Sequence, residues 1–553
     1  MRKDKSESQD ASPYAGRWVA RLNGRVIAHG GTPEQARLAA QKSRHKEKPE
    51  IMYMPTRPLS ISPLIERVRA ALPDEEHYLV GGAVRDALLG RVSHDFDFAI
   101  PRNAIPLARR LASVFKADFY VMDESFDIAR LILTSAEGVR DVLDFAAFRG
   151  ADLYADLRGR DFTINAVAFD VQAEALLDPL DGASDLRARI VRACSDSALR
   201  DDPVRVLRAV RLAAEFDFKI EAGTRKAMKA AASLLPDVSP ERKRDELFRI
   251  LAGPRPADSL RALDLLNAFP YLLPELPALK GVQQSEPHIH DVWEHTLGTI
   301  RYLDELLSWL VPGDGSGTAD DSYAGPLTLQ LGRYREQLAA HFAKRLNADR
   351  SLRALLFFAA LYHDVSKPAT RSVDAGGRIR FFGHDQRGAQ AACERAIAFN
   401  LSNDEIERLR SVIAHHMRFH FFVSHMETQG REPSRRAVYR FFRDAGEAGI
   451  DLVLLGLADL RAIWGPTLNL QTWAAALDIA HMLLENYWER PEETVSPPRL
   501  VDGRDVMQEY RLEPGPLVGR VLEAIRETQA AGEVSTREEA LAFGREWIRQ
   551  DEK

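Results

Sequence analysis

Two aspartates one residue apart, Asp95 and Asp97, interrupt the apolar run "DFDFAI". In a strand, successive side chains point to opposite faces, so Asp95 and Asp97 share one face while Phe96 and Phe98 take the other. Two carboxylates held together in this way repel each other unless a cation neutralises them, and hard oxygen ligands suit Mg²⁺. An ion so placed is suited to phosphoryl transfer, where charge develops on attacking and leaving oxygens. Just upstream, Gly81 and Gly82 offer bare backbone amides that can approach phosphate oxygens closely. Arg85 adds positive charge in the segment that follows.

A second concentration of chemistry lies far downstream. Ten of the 15 histidines fall between residues 288 and 425. Imidazoles gathered at this density point to metal ligation. With only two cysteines, Cys194 and Cys393, the chain has no disulfide framework and no thiolate zinc site.

The elements that must position these groups change character along the chain. In residues 1–56, "GRWVARLNGRVIAHGG" alternates around Asn23-Gly24 as a hairpin does, and "TPEQARLAAQKSR" opens with a Thr cap and a first-turn proline. A small ββα appendage and a charged linker through Pro58 are expected there. Residues 59–180 mix helix and strand signals: "YLVGGAV", "FDFAI", "RLILT" and "VLDFAAF" read as strands and "PLARRLASVF" as a helix. From about 181 helical periodicity dominates. The stretch "VPGDGSGTADDSYAGP" reads as a surface insertion. Asp202 before Pro203 has the form of a helix N-cap with proline in the first turn, and Arg205, Arg208 and Arg211 share a face of that helix.

The string G-G-x-x-R-D followed by D-x-D resembles the head-domain signature of class II nucleotidyltransferases, the family of CCA-adding tRNA enzymes and bacterial poly(A) polymerases. The likeness continues in "LRGRDFTINAVAFD", where Arg160 and Asp161 match an Arg-Asp pair that contacts ribose; Gly159 stands where the family more often has arginine. "DPLDGASDL" is similar to the turn joining head to neck. "RDDPVRVLRAVRLAAEFDF" resembles the segment that selects the incoming base, with Asp202 and Arg205 in the reading positions. The resemblance implies that Asp95 and Asp97 are catalytic and hold Mg²⁺, and that Gly81, Gly82, Arg85, Arg160, Asp161, Asp202, Arg205 and Arg208 bind the nucleotide. Asp144 is a candidate third metal ligand. The order of His295, His363-Asp364, His384, His415-His416 and Asp459 is similar to that of HD-superfamily metal-dependent phosphohydrolases. It implies His295, His363, Asp364 and Asp459 as core ligands of a divalent metal, with His384 and His415 as a second set.

The expected fold is an α+β head with a small mixed sheet, a mainly α-helical neck and body, and an HD domain. The expected divisions are 1–56 (appendage), 57–180 (head), 181–285 (neck and body), 286–470 (HD domain with an insertion at about 312–350) and 471–553 (helical tail). The function implied is addition of CCA, or part of it, to tRNA 3′ ends from CTP and ATP. Poly(A) synthesis and CC-only or A-only addition share the same motifs, and a phosphohydrolase with a relic head is the alternative from another enzyme class. A net charge of −6 argues against a non-catalytic RNA-binding module, although residues 186–250 carry 15 Lys/Arg against 10 Asp/Glu. No apolar run reaches the roughly 18 to 20 residues of a membrane helix. The start "MRKDKSESQD" lacks a secretory core, so a cytoplasmic protein is expected.

Overall fold

The structure, a computed structural model, describes residues 17–22, 25–31, 33–42, 48–54, 62–135, 138–311, 322–347 and 350–551. The chain forms two compact units, Met1–Val238 and Ser239–Lys553. Asn23, Gly24, Thr32 and residues 312–321, on which the hairpin turn, the helix cap and part of the insertion were expected, lie outside the described residues.

The first unit is built on one ten-stranded sheet. Its strands are β1 (Arg17–Leu22), β2 (Arg25–Gly30), β3 (Glu50–Met54), β4 (Tyr78–Val80), β5 (Asp95–Ile100), β6 (Asp118–Asp123), β7 (Ile128–Thr134), β8 (Arg140–Ala147), β9 (Ala168–Asp170) and β10 (Ala175–Leu177). Their order is β2-β1-β3-β10-β9-β4-β5-β8-β7-β6. Pairing is antiparallel throughout except between β5 and β8, which run parallel. The mixed sheet expected of the head is present, and "YLVGGAV" divides: the strand stops at Val80, and helix Gly82–Leu88 begins beyond Gly81.

Alternation along β5 works as the sequence implies. Phe96 and Phe98 are buried and Asp95 and Asp97 are exposed. Phe98 stacks on Phe145 of β8 at 4.7 Å between ring centroids, inside the main core beneath the sheet. The apolar face thus pins the strand, and its period of two sends both carboxylates to the other side.

The N-terminal segment is more than an appendage. "EIMYM", in the stretch expected to be linker, forms β3, which pairs with β1 on one side and β10 on the other. The sheet therefore runs across the boundary expected near residue 56. Met52 and Tyr53 are buried there, and Arg187 donates to the Tyr53 hydroxyl at 3.2 Å.

"DPLDGASDL" is a tight structural corner. The Asp178 carboxylate accepts from the Gly182 and Ala183 amides at 2.8 and 2.7 Å, satisfying the start of helix Gly182–Ala188. A Cβ at Gly182 would lie 2.0 Å from the Thr163 carbonyl oxygen. Thr163 also donates to Asp185 at 2.6 Å, so the corner locks the chain just after Arg160 and Asp161.

The second unit is helical apart from short two-stranded pairs. Helix Ala448–Trp464 runs through its middle and is buried at every position from Ala448 to Ala462, the charged Asp451, Asp459 and Arg461 included. Part of the expected insertion folds into helices Ala324–Leu331 and Arg335–Ala343.

Replacing Gly182 by alanine is expected to destabilise the first unit by about 3 kcal/mol or more, because backbone rather than a movable side chain fills the space. A fall in the denaturation midpoint of the Gly182→Ala chain checks this; an unchanged midpoint would contradict the close approach.

Candidate active sites in the two units

In the first unit Asp95 and Asp97 stand at the end of β5 nearest Gly81. Register pairs Asp97 with Val80 on one side and Asp144 on the other. Gly81 has φ +74, and a Cβ there would lie 2.7 Å from Asp97 Oδ2 and 3.4 Å from Arg160 Nη1. Any side chain would both strain this turn and fill the cleft floor. Although open to solvent, the Asp97 carboxyl is closely surrounded by protein. Desolvation in the cleft raises its pKa, Asp144 and Asp95 add to the rise, and Arg160 and Arg208 oppose it. Neighbouring carboxylates on one face, short of counter-charge, fit a divalent cation.

Asp144, the candidate third ligand, has another occupation. Arg130 on the adjacent strand grips it with two hydrogen bonds of 2.7 Å, Nε to Oδ1 and Nη2 to Oδ2. The fork gives Asp144 a counter-charge and occupies two of its lone-pair sites.

The other expected nucleotide residues gather on the same side but differ in freedom. Arg160 is held by Asp156 at 3.1 Å. Asp161 accepts from its neighbour's amide (Phe162) and from Asn165 Nδ2, and its Oδ2 lies 2.9 Å from Arg208 Nε. Arg85, expected at phosphate, is buried and donates to Asn165 Oδ1 at 2.8 Å and to Asp86. The Arg205 guanidinium donates to the carbonyls of Gly159, Arg160 and Ala198 at 2.9, 3.2 and 3.1 Å. Asp202 Oδ2 lies 3.7 Å from Arg205 Nε. The N-cap expectation for Asp202 is not met: helix Arg205–Phe216 is flanked by Val204 and lacks a side-chain cap. A turn at Pro203-Val204 separates Asp202 from the helix.

In the second unit six helices converge. His295 comes from Val292–Leu310, His363 and Asp364 from the end of Leu352–Tyr362, His384 from the start of His384–Ala398, His416 from the junction of Asn403–His415 with Met417–Gln429, and Asp459 from Ala448–Trp464. Two ligand groups result, His295–His363–Asp459 and Asp364–His384–His416, each with its atoms within 4.8 Å of one another. Among the described residues these are the two three-residue groups of this kind. Asp364 stands between them: Oδ2 is 3.2 Å from His363 Nε2 and Oδ1 is 3.4 Å from His384 Nε2.

His416, not His415, joins the second group, which corrects the expected ligand. At the helix junction His416 turns inward and is buried, whereas His415 is half-buried outside it. The partners of the ring nitrogens support ligation. His363, His384 and His416 each place Nδ1 2.7 Å from a main-chain carbonyl, of Ala360, Phe381 and Ile413. That fixes the tautomer and leaves the Nε2 lone pair facing inward. His420, outside the expected ligand set, lies 2.7 Å from Asp459 Oδ2, and Lys367 lies 2.7 Å from both Asp364 Oδ2 and Gln284 Oε1.

Polar atoms at the centre are left without hydrogen-bond geometry although buried: His295 Nε2, His363 Nε2, both Asp364 oxygens and Asp459 Oδ1. Such a nitrogen and oxygen set is unfavourable without an ion and favourable with one. Charge balance says the same. Burial alone would lower His363, but Asp364 and Asp459 overcome it and push the imidazole up to about 10. Burial works to raise Asp364 and Asp459; the surrounding histidines, with Lys367 for Asp364, hold both well below the usual carboxylate range.

A proton on His363 competes with a metal for the same lone pair. Binding of Mn²⁺ to the metal-free chain is therefore expected to release protons and to strengthen as pH rises toward about 10. Calorimetry in buffers of different ionisation enthalpy measures the release; a buffer-independent heat would contradict the protonated cluster.

Residues 77–192 match the family model "Poly A polymerase head domain", residues 217–279 "Probable RNA and SrmB- binding site of polymerase A", and residues 336–445 "HD domain". The HD match takes in residues 336–350, expected to lie in the insertion, while His295 and Asp459 fall outside it. The chain is 33% identical over 481 residues to the A-adding tRNA nucleotidyltransferase of Deinococcus radiodurans, covering 85% of this chain and 95% of the relative. It is 33% identical over 482 residues to the CC-adding tRNA nucleotidyltransferase of Thermus thermophilus, covering 86% and 94%. Its fold is shared with a CCA-adding enzyme solved with CTP, at a TM-score of 0.57 and 20% identity over 89% of this chain and 99% of that one. No helix among the described residues is long and apolar enough to cross a membrane. The head's paired carboxylates, the glycine turn beside them and these full-length likenesses converge: the chain belongs to the tRNA nucleotidyltransferase family, with an HD domain in the same polypeptide.

Proposed function

We propose that the chain transfers nucleotides from CTP and ATP to the 3′ end of tRNA, building CCA or part of it without a template. The observation that carries this reading is the cofacial pair Asp95 and Asp97 beside the positive-φ turn at Gly81. Mg²⁺ held by this pair would neutralise the carboxylates and the triphosphate together. The chain's own groups do the rest. Gly81 leaves room for phosphate oxygens, Arg160 brings positive charge to the cleft, and the cleft fixes donor and acceptor for in-line reaction. Asp202 and Arg205 read the base. Three of the five Arg205 donors are held by carbonyls, so its plane is fixed before a nucleotide arrives. A ribose contact by Asp161 depends on the oxygens that Arg208 and Asn165 hold in place.

A specialist reading, CC-only or A-only addition, is favoured by one observation. The relatives matching 84–86% of this chain are named as A-adding or CC-adding, whereas those named multifunctional CCA protein match 43–58% of it. Poly(A) synthesis remains the third outcome of the same assay.

In the second unit the buried histidine and aspartate groups support a divalent-metal phosphohydrolase or phosphodiesterase activity separate from nucleotide transfer. His295, His363, Asp364, His384, His416 and Asp459 would hold the metal. The finer division at about 180, 285 and 470, and a cytoplasmic location where tRNA is processed, belong to the same reading.

The test is incubation with tRNA transcripts ending before C74, C75 or A76, labelled CTP or ATP, and Mg²⁺. Product length separates full CCA, partial addition and poly(A) tailing, and failure to incorporate either nucleotide would refute the reading. Asp97→Ala is expected to reduce incorporation on the order of a thousandfold, the scale seen when preorganised charge stabilisation is removed. The His363→Ala/Asp364→Ala double variant should retain incorporation and lose metal-dependent phosphoester hydrolysis. Loss of both activities in either variant would contradict two separate sites.

A further inference from the structure

Helix Arg205–Phe216 is fastened near both of its ends. Toward its start, Arg205 donates to the carbonyls of Gly159 and Arg160, and Arg208 lies 2.9 Å from Asp161. At its end, the Phe216 ring meets two guanidinium groups, Arg85 at 4.5 Å and Arg91 at 4.6 Å from its centroid. Arg85 continues the connection by donating to Asn165 Oδ1 at 2.8 Å, and Asn165 Nδ2 donates to Asp161 Oδ1 at 3.1 Å. The series Phe216, Arg85, Asn165, Asp161, Arg208 therefore leaves the helix at one end and returns to it near the other. Arg85, Asn165, Asp161 and Phe216 are all buried.

The placement of this circuit matters. Arg85 sits on helix Gly82–Leu88, which starts beside the Gly81 turn packed on Asp97. Asn165 follows the Arg160-Asp161 pair. The circuit thus ties the carboxylate cleft to the helix whose first residue reads the base. Recognition of a base by protein side chains requires the readers to be held within about 0.5 Å and 10–20° of the productive geometry. A buried, hydrogen-bonded brace supplies that stiffness, and guanidinium–ring contacts strengthen where water is excluded.

We infer that Asn165, Phe216 and Arg91 are positioning residues for base selection: they hold helix Arg205–Phe216 at a fixed distance from Asp95 and Asp97 without touching the nucleotide. The inference rests on the nucleotidyltransferase reading and assigns Arg85 to the brace rather than to phosphate.

The experiment uses the full-length chain with truncated tRNA transcripts and measures kcat and KM separately for CTP and ATP. Arg91→Ala, Phe216→Leu and Asn165→Asp are compared with Phe216→Tyr, which keeps the ring. The first three are expected to change the CTP-to-ATP ratio of kcat/KM by about three- to tenfold, the scale of one or two guanidinium–ring contacts or one buried hydrogen bond. The KM for tRNA should stay the same, and Phe216→Tyr should keep the native ratio. A loss of stability alone would lower both nucleotides' rates together and leave the ratio fixed. Arg91 is exposed, so Arg91→Ala decides the matter should a buried substitution fail to fold. A ratio within about twofold of native in Arg91→Ala, or a Phe216→Tyr chain that behaves like Phe216→Leu, overturns the inference while incorporation by the native chain leaves the function standing. Absence of incorporation by the native chain removes both.

Discussion

Asp97 is a carboxylate that its own surroundings disfavour as an ion. Desolvation in the cleft raises its pKa, and Asp144 and Asp95 raise it further. A fold without a use for that charge would replace it or pair it fully, as it pairs Asp144 with Arg130. Instead the strand is pinned by Phe96 and Phe98 so that Asp95 and Asp97 must face the cleft together. The glycine turn, the Asp178 corner and the placement of Arg160 all serve to hold protein near this under-neutralised pair without closing it.

The second unit meets the same requirement with different chemistry. The head offers carboxylate oxygens at an open cleft, a set suited to a hard ion exchanged with its substrate. The HD centre offers imidazole nitrogens with aspartate oxygens, nearly all buried, with three ring orientations fixed by main-chain carbonyls. Asp364, between the two ligand groups, is neutralised from several sides by His363, Lys367 and His295. His420 takes the far oxygen of Asp459 and so aims the near one. Two units that each confine acidic groups in this way are suited to two separable chemistries on phosphate esters.

Packing around helix Arg205–Phe216 shows how arginines divide their work. Arg205, Arg208 and Arg85 look alike in sequence, each able to grip an anion. In the structure Arg205 is spent mainly on carbonyls, Arg208 on Asp161, and Arg85 on Asn165, Asp86 and the Phe216 ring. A planar guanidinium suits such bracing because its donors diverge in fixed directions while its face stacks on an aromatic ring.

Much of this was legible in the residues themselves. The period-two alternation of "DFDFAI" determined which side chains share a face, because a half-buried strand cannot slip by one residue without burying its aspartates. The run of histidine motifs likewise fixed which helices must converge, since ligands of one ion must meet. Tertiary structure decided the rest. Whether His415 or His416 faces the metal depends on the phase of a junction between two helices, and packing sets that phase. Whether Asp144 is a ligand depends on Arg130, which reaches it across a strand pair that no local pattern announces. The fate of "EIMYM" turned on the open edge of β10, a partner more than a hundred residues away in the chain. The sequence alone determined the chemistry available and the faces on which it is displayed; which neighbour satisfies each group was decided by long-range packing, because hydrogen bonds and ion pairs form with whatever the fold brings within about 3 Å.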